Sequence, residues 1–98
     1  MQAAIERTTL KLYKNTDDVN YLLSMLSKAD ANIRNDIENR LVRLGTKAVP
    51  ALVNCVTTNK GIARGVAAMC LIRIGAESIP FLKEADGWIA NYLISEIA

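Results

Sequence analysis

The residue types that most often carry enzyme chemistry are scarce in this chain. It has no histidine, which is the commonest general base and the commonest metal ligand in proteins. Its two cysteines, Cys55 and Cys70, form no CxxC pair, and a zinc site needs about four ligands. We therefore expect two reduced, buried thiols, although their spacing alone also leaves a disulfide open.

The acidic residues do not form an obvious catalytic pair either. Asp17 and Asp18 open a predicted helix, where the helix dipole favours negative charge. Asp36 and Arg40 lie four residues apart, which is the spacing of an ordinary ion pair on a helix surface. The sequence therefore predicts a protein that is not an enzyme and that uses neither a metal nor a cofactor.

The composition is typical of one small globular domain, with 51% hydrophobic and 22% charged residues. A net charge of +2 is too small to indicate a nucleic-acid partner by itself. The longest apolar run, 66–72, is far shorter than the roughly 20 residues of a membrane helix. The first residues lack the pattern of a signal peptide. We expect a soluble, cytoplasmic protein without membrane contact.

An internal repeat organises the chain. The pattern Leu-Val-Arg-Leu-Gly-x4-Pro-x-Leu at 41–52 recurs thirty residues later as Leu-Ile-Arg-Ile-Gly-x4-Pro-x-Leu. A further shift places Asn15 where Gly45 and Gly75 stand, and both residue types end helices in the left-handed conformation. Each copy contains two amphipathic stripes at helical spacing. The stripes predict helices near 2–14, 17–28, 31–44, 48–58, 62–74, 77–85 and 88–97.

The motifs of this repeat resemble the short HEAT-like repeats of the phycobilisome-lyase type. The matching features are an Arg early in the first helix (Arg34, Arg64), Leu-x-x-Leu/Ile-Gly at its end, and Val/Ile-Pro-x-Leu opening the second helix. The resemblance implies an all-α fold, a right-handed α-α superhelix in a single domain, 1–98. Its parts would be repeats at about 2–28, 31–58 and 62–85, with a C-terminal cap at 88–98.

The same resemblance implies that the second helix of each repeat lines the concave surface. Opposite their core stripes, these helices and the cap carry aromatic, Met and polar residues of the kind that recognise partners. The candidates are Tyr21, Met25, Asn54, Cys55, Phe81, Glu84, Trp88 and Tyr92. Alternatively, Tyr21 and Phe81 pack under neighbouring loops as peripheral core.

The C-terminal helix has a thin polar face, since Trp88 and Tyr92 add apolar surface beside its main stripe. We expect this helix to form an interface, either in a homodimer or with another protein. Alternatively, both aromatic residues fold back over the loop after Gly61, and the helix caps a monomer.

These observations favour a non-catalytic protein-binding or scaffold module that recognises a partner through its second helices. One alternative, suggested by the resemblance, is a bilin lyase-like subunit that binds an open-chain tetrapyrrole. Another is a weak nucleic-acid binder that uses the basic excess of residues 31–60, although solvated cations at helix ends explain that excess better.

Overall fold

The computed structural model describes residues 16–98, and every regular element in that range is helical, without strands. This confirms the all-α fold class. The predicted helix at 2–14 and Asn15 lie outside the described residues. The α-helices are α1 (Val19–Ser24), α2 (Ala31–Leu44), α3 (Val49–Thr58), α4 (Ile62–Ile74), α5 (Ile79–Ala85) and α6 (Trp88–Ile97). Turns of 3-10 helix follow α1 at Leu26–Lys28, α2 at Gly45–Ala48 and α4 at Gly75–Ser78.

The helix bounds agree with the sequence prediction for α2, α4 and α6, and within two residues for α3 and α5. The helix predicted at 17–28 is shorter, because the chain tightens after Ser24 into a 3-10 turn. Asp18 begins α1, since its Oδ1 accepts a hydrogen bond of 3.1 Å from the Tyr21 backbone N–H. Asp30 begins α2 in the same way, because its Oδ1 accepts a hydrogen bond of 2.9 Å from the Ile33 backbone N–H.

The segments 31–58 and 62–85 fold alike, each as a helix, a 3-10 turn and a second helix. Gly45 and Gly75 end the first helix of each segment with φ of 61° and 87°, which confirms the predicted positive φ. Their ψ angles are −133° and −143°, so neither residue adopts the left-handed helical conformation. Because this extended region at positive φ belongs almost only to glycine, asparagine is a poorer substitute here than the sequence suggested.

One hydrophobic core runs between the helices. Helices α2 and α4 pack side by side, α3 packs against α4 and α5, and α6 contacts α3, α4 and α5. Each of the first five helices contributes a fully buried leucine: Leu22, Leu41, Leu52, Leu71 and Leu82. Since the leucines of α1, α3 and α5 stand thirty residues apart, successive copies place equivalent side chains in the core.

Polar contacts also join the two copies. Arg73 on α4 donates hydrogen bonds to Glu38 at 2.8 Å and to Asn39 at 2.9 Å, both on α2. The Thr46 hydroxyl of one 3-10 turn donates to the Glu77 carboxylate of the other. These bonds fix the register of one helix pair against the next.

The segment Ile62–Ala85 is long and apolar enough to cross a membrane by length and composition alone, with a mean hydropathy of 1.5. It is not one continuous α-helix, because Gly75 interrupts it between α4 and α5. Leu71 and Leu82 of this segment are buried in the core of the chain, so part of its apolar surface packs against the other helices.

Candidate functional site

Two open clefts lie between successive second helices, and α3 forms one wall of each. The larger, of about 340 Å³, separates α3 from α5. The smaller, of about 210 Å³, separates α1 from α3. Asn54 lines both. We call the two together the cleft surface; it lies along α1, α3 and α5, which the repeat prediction assigns as second helices.

The larger cleft combines apolar and polar side chains. From α3 it is lined by Pro50, Val53, Asn54 and Thr57, and from α5 by Phe81, Glu84 and Ala85. Val53 is only 7% exposed, and Phe81 packs half-buried against the core. Glu84 and Asn54 are exposed. The cleft therefore has an apolar floor with a carboxylate and an amide beside it.

Neither polar group of the larger cleft is used within the described part of the chain. The Asn54 side chain makes no hydrogen bond to another described residue, and Glu84 forms no ion pair there. By contrast, the hydroxyls of Thr57 and Thr58 donate to the Asn54 backbone carbonyl at 3.0 and 2.7 Å. The Asn54 amide and the Glu84 carboxylate are consequently available to a ligand.

The smaller cleft is lined mainly by neutral polar groups. Its lining residues are Asn20, Leu23 and Ser24 from α1, with Ala51, Asn54, Cys55, Thr58 and Asn59 from α3 and its C-cap. Side-chain amides both donate and accept hydrogen bonds, so this lining suits a peptide backbone. Asn20 and Asn59 were not among the predicted binding residues, because the periodicity of one helix does not indicate which of its residues face a cleft shared with another helix.

Two of the predicted surface residues belong to the core. Met25 is 5% exposed and Cys55 is 3% exposed, so the prediction that they present themselves on an open face is wrong. Met25 follows Leu22 by three residues, and Cys55 follows Leu52 by three. Both therefore extend the buried stripe of their helix once a neighbouring helix covers it.

The predicted aromatic residues Tyr21 and Phe81 are half-buried and pack against the core. This supports the alternative that both are peripheral core. Phe81 also lines the larger cleft, whereas Tyr21 lines neither cleft. The cleft surface thus retains Asn54, Phe81 and Glu84 from the sequence prediction, with Cys55 in the lining of the smaller cleft.

The remaining predicted residues, Trp88 and Tyr92, lie apart from the cleft linings on α6. Trp88 is 72% exposed and Tyr92 55% exposed. The Arg64 guanidinium lies 5.9 Å from the centroid of the Trp88 ring, within cation–π range. Trp88 does reach the start of α4, shortly after Gly61, but most of its ring remains open to solvent.

The thiols are poorly suited to nucleophilic chemistry. Both cysteines are free and buried, as predicted. Burial raises the pKa of Cys70 to about 12, with a further contribution from the Glu38 carboxylate. Burial also raises the pKa of Cys55, although the hydrogen bond from Asn59 opposes this shift. The thiolate is the nucleophile, and the raised pKa values keep both thiols protonated near neutral pH.

The central basic excess is partly used inside the fold. Arg40 donates through Nε to the Thr16 carbonyl at 2.7 Å and through Nη2 to Asp17 at 3.2 Å. This contact joins the start of α1 to α2 and leaves fewer free cations for a phosphate. Among residues 16–98, no group of three or more acidic, Cys or His side chains could hold a metal ion.

The chain matches no protein-family model, and comparisons with curated proteins and with solved structures give no significant similarity. The function therefore has to be argued from the surface of the molecule itself.

Proposed function

We propose that this protein is a non-catalytic module that binds a partner protein through the cleft surface. The observation that carries the proposal is the larger cleft, where the Glu84 carboxylate and the Asn54 amide, neither paired with another side chain of residues 16–98, flank an apolar floor that includes Phe81. Both polar groups are exposed and lie on helices, so they can select a partner by hydrogen bonding. An apolar part of that partner can pack on the floor of the cleft.

The charge of the lining defines the class of partner. Among the described residues, Glu84 is the single charged one that lines either cleft. A basic side chain is the best partner for the Glu84 carboxylate. Arginine, for example, can pack its aliphatic stem on Phe81 and donate two hydrogen bonds to the carboxylate. The partner segment should therefore carry an arginine or a lysine.

The spacing of the clefts defines the shape of the partner. Packed helices lie roughly 8–10 Å apart, so adjacent clefts are separated by about three residues of an extended peptide, which rises about 3.3 Å per residue. An extended segment can place its basic side chain in the larger cleft while its backbone meets the amides of Asn20 and Asn59 in the smaller one.

The proposal includes a HEAT-like superhelix and a cytoplasmic location. The recurrence of helix bounds, glycine conformation and buried leucines at thirty-residue spacing supports the superhelix.

The protonated state of both thiols supports a non-catalytic role. A volume of about 340 Å³ lies near the lower end of the roughly 300–1,000 Å³ of small-molecule pockets, which suits a side chain better than a tetrapyrrole.

Selection from a displayed library of random peptides tests the proposal. The purified chain should enrich sequences that contain Arg or Lys flanked by apolar residues. Glu84→Lys should lose this enrichment, and Glu84→Gln should reduce it. Asp36→Lys is the matched control, because it makes the same charge change at an exposed position of α2, outside both clefts, and should preserve the enrichment.

Four results would contradict the proposal. The first is no enrichment above an unrelated helical protein, and the second is enrichment that survives Glu84→Lys. The third is an induced visible absorption band on adding an open-chain tetrapyrrole, which would assign the protein to the bilin-binding class. The fourth is a steeply salt-dependent affinity for nucleic acid, which would assign it to the nucleic-acid-binding class.

A further inference from the structure

The outer side of α6 carries the most exposed large apolar side chains of the described chain. These are Trp88 at 72% and Tyr92 at 55%, and they lie one helical turn apart. Neither residue lines a cleft, so this surface is independent of the function proposed above. Exposed aromatic residues on one side of a helix indicate a contact with another macromolecule.

Opposite charges flank the two aromatic residues. At the Trp88 end, the Arg64 guanidinium lies 5.9 Å from the ring centroid, held in place by a 2.9 Å hydrogen bond from its Nε to the Asn59 carbonyl. At the other end, the Glu96 carboxylate lies close enough to the Tyr92 hydroxyl to raise its pKa. Arg64 thus lies beside Trp88, and Glu96 lies one helical turn beyond Tyr92; we call these four residues the α6 stripe.

The α6 stripe is complementary to itself. Trp88 and Glu96 lie eight residues apart, or about 12 Å along a helix. If a second copy approaches about a two-fold axis with its α6 antiparallel, Arg64 of one copy lies opposite Glu96 of the other, and the aromatic residues meet between them. A symmetric dimer requires this kind of self-matching surface.

We propose that the protein forms a two-fold homodimer through the α6 stripe. The apolar contact of Trp88 and Tyr92 provides the affinity, while the two Arg64–Glu96 pairs fix the antiparallel direction. Exposed ion pairs add little affinity by themselves, but like charges placed opposite one another are strongly unfavourable in an interface. Charge reversal is therefore the sharpest test.

Sedimentation equilibrium over a wide concentration range tests the proposal with the full chain. The wild-type mass should rise from 10.7 kDa towards twice that value. Glu96→Arg and Arg64→Glu should each weaken dimerisation by more than about tenfold, because each reversal creates two like-charge pairs across the axis. An equimolar mixture of these two variants should form a heterodimer, since every pair between unlike copies is then opposite in charge.

Matched controls separate the α6 stripe from general charge effects. Asp36→Arg and Arg43→Glu make the same changes in charge at exposed sites on α2 and should leave the dimer intact. Trp88 is the only tryptophan, so its emission should move to shorter wavelength as the wild-type dimer forms. Circular dichroism of each variant verifies that the helices are retained.

Several outcomes would overturn the proposal. These are a wild-type mass that stays monomeric at every concentration, a dimer unaffected by both reversals, or a mixture of the two variants that remains monomeric. A Trp88 emission shift caused by phospholipid vesicles, without self-association, would instead assign the α6 stripe to a membrane surface.

Discussion

The same substitution, glycine to alanine, should have opposite effects at two positions only ten residues apart. Gly65 lies in the exposed part of helix α4, whereas Gly75 ends that helix with φ of 87° and ψ of −143°. An added Cβ would meet no atom within 4 Å at either site. Packing is therefore the same for both variants, and the backbone conformation alone determines the difference in stability.

The magnitudes follow from the two conformations. Gly65→Ala should raise the free energy of unfolding by about 0.5–1 kcal/mol, since alanine favours a helix interior. Gly75→Ala forces an L-residue into a region that costs about 1–3 kcal/mol. About 0.4–1 kcal/mol of this cost is offset by the reduced freedom of the unfolded chain. The two variants should therefore differ by roughly 2 kcal/mol.

Urea unfolding followed by far-ultraviolet circular dichroism measures this difference. At an m-value of about 1–3 kcal/mol per M, the two midpoints should be separated by about 1 M, with unchanged slopes. Gly45→Ala should behave like Gly75→Ala, because its φ is 61°. If Gly75→Ala stabilised the protein as much as Gly65→Ala, the break between α4 and α5 would be wrong, and residues 62–85 would form one continuous helix.

Five other substitutions test the core, a strained loop residue and a buried thiol. Leu71→Ala and Leu41→Ala should each lower the free energy of unfolding by about 2–5 kcal/mol in thermal or urea unfolding, because both side chains are fully buried. A much smaller loss would contradict the packing of α2 against α4. Asp86 has φ of 55° and ψ of −176°, so Asp86→Gly should raise the melting temperature, whereas Asp86→Ala, which keeps the strain, should not. The pKa of Cys70 is raised to about 12, so the unfolded state loses its thiol proton first as the pH rises above about 9. The free energy of unfolding should then fall with increasing pH, by up to about 1.4 kcal/mol per pH unit. This fall should be smaller in Cys70→Ala, and an equal dependence on pH in the wild type and the variant would refute the burial of this thiol.

Much of the helical architecture could be predicted from the sequence because local signals mark the helix ends. The glycines at 45 and 75, with the prolines that follow them, divide each copy into two helices, and their positive φ needs no tertiary contact to be inferred. The conformation of these glycines was only half predicted: φ is positive as expected, but ψ differs from that of the left-handed helical conformation that the sequence indicated.

The candidate site could be predicted only as a surface. Periodicity assigned Met25 and Cys55 to the open side of their helices, because it cannot show how widely a neighbouring helix covers each stripe. The clefts arise between helices, so residues such as Asn20 and Asn59 entered the lining without a signal in the sequence. Likewise, the bond of Arg40 to Asp17 joins residues 23 positions apart, so local spacing in the sequence could not indicate it.

The most direct test of the cleft surface is a nuclear magnetic resonance titration of the ¹⁵N-labelled chain with a short acetylated peptide containing one arginine between two leucines. We expect saturable shifts of the resonances of the Asn54 side-chain amide and of the backbone amides of Phe81 and Ala85. These shifts should disappear in Glu84→Lys, or when glutamate replaces the arginine of the peptide. Shifts that are absent, or that fall on the exposed side of α2 around Asn35 instead of between α3 and α5, would contradict it.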